Sequence, residues 1–240
     1  MKIHKIATRP IRLDREMTMG SIGRLKSFLQ EGYYSRNPDE PIGRNFVFID
    51  KVINKDVNGN EFEVQVNYVG QDSDGSRMVL GGGSGKTRVS NKPAVIIFIN
   101  SKMKPKTFTL YALGERLVNN LLEVLEHELT HQADIYSKKV DPSASRKRLP
   151  SEDEIDLFSY YNNPSEVRAY MRSIFDEIET YLPSASKVFT VRQVVGWIKG
   201  GSKTWNEISP HLNEDNRRLI LKGVYQAVQD WYDNHGAITT

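Results

Sequence analysis

The alternation of apolar and polar positions is clearest in Glu61 to Val69, where Phe62, Val64, Val66 and Tyr68 interleave with polar residues. A period of two is the mark of a strand with one face buried. Asn45 to Ile53 carries Phe46, Val47, Phe48 and Ile49 and reads as a second strand, joined to the first through the hairpin turn signal Asn58-Gly59. Ala94 to Ile99, an apolar β-branched run after Pro93, reads as a third. The period then changes. From Leu113 to Asp134 the apolar residues Leu113, Leu117, Val118, Leu121, Leu122, Leu125 and Leu129 fall at steps of three and four, the stripe of a long amphipathic helix.

A further helix is expected from Pro164 to about Tyr181, with proline tolerated in its first turn. Two more are expected at Val191 to Lys199 and Glu214 to Asn234, and Ser21 to Gln30 shows a weaker helical pattern. Ser137 to Asp156, polar and interrupted by Pro142 and Pro150, reads as an exposed loop. Strands come first and helices follow, so the fold class expected is α+β. Residues 1–136 would form a sheet part with mixed or antiparallel strands and one long helix. Residues 137–240 would form a mostly helical part that completes the same functional unit.

Composition narrows the chemistry. The chain has 240 residues, 38% hydrophobic and 26% charged, enough for a real core. No run approaches the ~18 to 20 apolar residues that span a bilayer, and the N-terminal stretch lacks the apolar segment of a signal peptide. A soluble protein made without a signal peptide is therefore expected. The net charge of +3 comes from 33 basic and 30 acidic residues spread along the chain, too mild to argue for a nucleic-acid partner. With no cysteine, any transition metal has to be held by histidine and carboxylate.

The last two turns of the long helix carry His127-Glu128-Leu129-Thr130-His131. Residues four apart lie one turn apart on nearly the same face, so the two imidazoles can converge on one ion while Glu128 flanks them. Zinc held by two imidazoles keeps room for one more protein ligand and a water, whose pKa it lowers toward ~7. Glu128 is placed to take that water's proton and hand it to the leaving group. Two histidines on a charged helix face can also be ordinary surface residues, but this pair recurs in the HExxH pattern on a helix that follows a strand.

The third ligand comes from a short list, since the other histidines are His4, His211 and His235. Glu166, in Asn163-Pro164-Ser165-Glu166-Val167-Arg168-Ala169 on the first turn of the next helix, is favoured. An acidic residue there also serves simply to complement the helix dipole. Asp134, one turn beyond His131, suits better an outer partner of an imidazole, and His211 is the other rival.

These residues resemble the zincin metallopeptidases, in the branch where HExxH is followed by a glutamate on a later helix. The combination with Asn-Pro-x-Glu-x-x-Ala is similar to compact enzymes of bacteria and bacteriophages. The resemblance implies zinc-dependent hydrolysis of a protein or peptide substrate, with His127, His131 and Glu166 as ligands of Zn2+ and Glu128 as general base. It also implies a strand along the substrate cleft, for which Ala94 to Ile99 is the expected candidate, pairing with an extended substrate by strand addition. The metzincin pattern is not matched, because Asp134 and Ser137 stand where it has glycine and histidine. Tyr170, Tyr160, Tyr161 and His211 are candidates for an oxyanion donor, and none is singled out.

Gly81-Gly82-Gly83-Ser84-Gly85-Lys86-Thr87 looks like a phosphate-binding loop, but the template requires glycine where Leu80 stands, and a strand rather than a helix follows. It reads instead as a flexible hairpin or cleft-edge loop.

Overall fold

The computed structural model describes residues 15–34, 37–56, 58–75, 77–86, 93–108, 111–137, 157–179 and 181–235, with 32–34 and 111–113 in backbone alone. The N-terminal arm, the segment 87–92 and the expected loop from residue 138 to 156 lie outside the described residues. The described residues fall into two compact units, 15–137 and 157–235. The chain is α+β, with a four-stranded mixed sheet in the first unit and helices alone in the second.

The first unit opens with α1 (Arg15–Tyr34) and continues through β1 (Val47–Lys55), β2 (Glu61–Gln71), β3 (Val79–Lys86) and β4 (Pro93–Asn100) to α2 (Tyr111–Tyr136). The sheet order is β1-β2-β4-β3: β1 and β2 are antiparallel, β2 and β4 parallel, β4 and β3 antiparallel. The β1–β2 turn is the one the Asn58-Gly59 pair predicts. Gly59 takes φ +85°, a left-handed conformation that glycine adopts without steric cost. The Asp56 carboxylate accepts the backbone N–H of Asn58 and of Asn60, each at 2.8 Å, closing the turn.

One face of the sheet is the core face. Phe62, Val64, Val66 and Tyr68 of β2 and Val95, Ile97 and Ile99 of β4 are buried, as are Leu117, Leu121, Leu125 and Leu129 on α2. The leucines recur every four residues, so one stripe of α2 faces β3 and β4, and from Glu126 onward polar residues of the helix are buried as well. Buried Ile22, Leu25 and Leu29 extend the core along α1, which packs on β1 and α2. Polar bonds then fix the register of the layers: the Ser21 and Tyr68 hydroxyls meet at 2.7 Å, and Asn54 of β1 donates to the Leu129 carbonyl of α2 at 2.9 Å.

The second unit consists of α3 (Leu157–Tyr161), α4 (Pro164–Glu179), α5 (Leu182–Ala185), α6 (Val191–Gly201), α7 (Lys203–Ile208) and α8 (Glu214–His235). Its core gathers Val167, Met171, Ile174 and Ile178 of α4 with Val194 and Ile198 of α6, Trp205 of α7 and Val224 and Val228 of α8. Thr190 and Gln193 form a capping box that starts α6. The three long helices match the apolar periodicity; α3, α5 and α7, at four to six residues, are too short to show one. Among the described residues no helix is long and apolar enough to cross a membrane.

Candidate metal centre

The leucine stripe decides which way the HExxH residues point. With Leu125 and Leu129 buried beneath α2, His127 and His131 stand on an adjoining face, one turn apart. Their Nε2 atoms lie 3.1 Å apart, with the ring planes at 79° to each other. Two imidazole nitrogens bound to one zinc at about 2.0–2.1 Å and a tetrahedral angle lie about 3.3 Å apart. The pair therefore fits a single ion with little adjustment. His131 is 7% exposed and His127 half-buried, so the pair is no ordinary surface feature.

Glu128 is also 7% exposed, and β3 is what covers it. A Cβ added at Gly82 would lie 2.6 Å from Glu128 Cγ, 3.2 Å from its Cδ and 2.9 Å from Val124 Cγ1. The strand and the acid side chain are thus in direct contact. Gln132, the residue after His131, is fully buried and donates from Nε2 to the carbonyls of Gly85 at 2.8 Å and Ala94 at 2.7 Å. Those two residues face each other in the β3–β4 ladder, so one side chain ties both strands to the end of the helix.

The glycine-rich segment is therefore an arm of a hairpin and not a loop. Gly81 to Lys86 belong to β3, antiparallel to β4, and β3 is one of the two edge strands of the sheet, with β1 the other. This overturns the expectation that Ala94 to Ile99 is the cleft strand. β4 is hydrogen-bonded to β2 on one side and β3 on the other, so both its ladders are used and it has no edge to offer a peptide. The signal in the sequence was Val79-Leu80 ahead of the glycines, but five small residues show no apolar alternation.

Glu166 lies in the helical unit, half-buried in the first turn of α4. Asn163 caps that helix: its Oδ1 accepts the Ser165 N–H at 3.0 Å and its carbonyl the Val167 N–H at 2.9 Å. Just before it, the side chain of Asn162 donates to the carbonyls of Phe158 at 2.7 Å and His211 at 2.8 Å. Its Oδ1 accepts from the Asn213 N–H at 2.8 Å and the Asn216 amide at 2.9 Å. The α3–α4 turn, just ahead of Glu166, is thereby fastened to the start of α8.

The aromatic candidates gather in the same unit. The Tyr161 ring stacks on His211 at 5.2 Å and lies 5.1 Å from Tyr160 and 5.4 Å from Tyr170. Burial, reinforced by Tyr160 and Glu166, pushes the Tyr170 phenol well above its ordinary value, and burial also raises that of Tyr161. Both keep their proton and so remain hydrogen-bond donors. Asp134 is fully buried on α2, one turn past His131. No known protein-family model matches the chain, and no curated protein and no solved structure matches it either.

Proposed function

We propose that this protein is a zinc-dependent metallopeptidase of the zincin type, with His127, His131 and Glu166 as metal ligands and Glu128 as general base. The observation that carries the reading is the pair of imidazole nitrogens 3.1 Å apart on α2, beside a buried carboxylate. Zinc bound there supplies a Lewis acid that polarises a peptide carbonyl and acidifies water. Glu128 accepts the proton of the attacking water and returns it to the leaving amine nitrogen as the C–N bond breaks. Glu166 would complete a two-imidazole, one-carboxylate donor set, the kind that leaves a coordination position open for catalysis. Its place in the first turn of α4 favours the ionised, ligating form through the helix dipole.

In this reading β3 receives the substrate. It is an edge strand in contact with Glu128, so an extended peptide added to it runs past the base. Its glycines place no side chain beside those of the peptide.

Metal content by plasma mass spectrometry tests the reading. About one zinc per wild-type chain is expected, with loss of the metal in His127→Ala and Glu166→Ala. Glu128→Gln is expected to keep the zinc and abolish cleavage of casein. A wild-type chain that takes up no zinc when the ion is supplied would sink the proposal.

A further inference from the structure

We propose that Gly82 is a positioning residue for Glu128: the absence of a side chain at this one β3 position sets where the carboxylate of the base lies against the substrate strand. The inference rests on the reading of Glu128 as the base of a peptidase. Gly81, Gly82, Gly83 and Gly85 look interchangeable in sequence, and the structure separates them. A Cβ at Gly81, Gly83 or Gly85 meets nothing within 4 Å, whereas at Gly82 it meets Glu128 Cγ at 2.6 Å and Val124 Cγ1 at 2.9 Å.

Backbone conformation does not explain the choice. Among the described glycines φ is positive only at Gly43 and Gly59, so nothing in the path of β3 demands glycine. What remains is space. Successive strand residues point to opposite faces, and Gly82 is the β3 glycine that faces α2.

With alanine at position 82 either the strand or the acid has to yield. The strand is held, because Gln132 bonds it to α2 through the Gly85 carbonyl and bridges it to β4 through that of Ala94. Val124 blocks part of the space on the helix side. The displacement therefore falls on Glu128, whose Cγ and Cδ are both within reach of the new methyl group. A shift of about 1 Å in a catalytic group costs on the order of a hundredfold in rate. The three atoms nearest the new methyl group belong to Glu128 and Val124 and not to His127 or His131, so zinc binding is expected to be retained.

The experiment compares Gly82→Ala, Gly83→Ala and Gly23→Ala, the last in α1 with nothing within 4 Å of its added Cβ. Zinc content and casein cleavage are measured on each full-length chain. Gly82→Ala is expected to hold zinc and lose about a hundredfold in turnover. Gly83→Ala is expected to lose at least tenfold less than that, and Gly23→Ala to match wild type. A second measurement needs no substrate: urea unfolding midpoints of wild type, Gly82→Ala, Glu128→Ala and the double variant. Gly82→Ala is expected to lower the midpoint, and the drop to be at least halved when Glu128 is already alanine. Equal turnover in Gly82→Ala and Gly83→Ala, or a midpoint shift indifferent to Glu128, overturns the inference. Zinc-loaded wild type that cleaves nothing counts against the peptidase reading, and the unfolding cycle still decides the Gly82–Glu128 contact.

Discussion

Gln132 reaches from α2 to the carbonyl of Gly85 on β3, 2.8 Å from its Nε2, and the same nitrogen serves Ala94 on β4. The amide follows His131 directly, so the bond that holds the edge strand and the histidine that is read as a metal ligand move together. Gln132→Leu keeps the approximate volume and removes both donations, leaving buried carbonyls without their partner. A loss of about 1–3 kcal/mol in unfolding free energy is expected, measured by urea denaturation. An unchanged midpoint would show that the clamp contributes nothing to the fold.

Asn162 holds the turn ahead of Glu166 through four side-chain hydrogen bonds. Asn162→Ala deletes all four, and Asn162→Asp keeps the acceptor while removing both donations. The alanine variant is expected to lose about 2–4 kcal/mol and the aspartate variant less, at net values of about 1 kcal/mol per bond. Denaturant midpoints of the two variants check the order.

Leu125 is fully buried on the α2 stripe, directly before the turn that carries His127. Leu125→Ala leaves a cavity under that turn and is expected to cost about 2–5 kcal/mol, read by chemical unfolding.

Tyr68 gives the fold a pH dependence with a definite sign. Burial raises its phenol above the ordinary value of 10.0, so the folded chain keeps the proton at a pH where the unfolded chain releases it. The unfolded state then binds fewer protons than the folded one, and stability falls as pH rises above about 10. Below that value the contribution is fully present. Unfolding midpoints taken from pH 8 to pH 11 should decline at the upper end, and Tyr68→Phe should flatten the decline while losing the bond to Ser21.

By itself the sequence determined the elements whose side chains repeat. The two-residue alternation of Phe62, Val64, Val66 and Tyr68, the four-residue leucine step of α2 and the Asn58-Gly59 turn all appear where the local pattern places them. It also determined that His127 and His131 converge, because a helix spaces residues four apart on one face wherever it occurs. Only the tertiary structure decided which strands are the edges. Strand order depends on long-range pairing, and nothing in the apolar run Ala94 to Ile99 tells that β4 has a strand on each side. The glycines of β3 carry no side-chain pattern, so nothing local marks them as a strand, and nothing local distinguishes Gly82 from its neighbours. That distinction exists only where β3 comes to lie on α2, with Glu128 in the space a side chain would have filled.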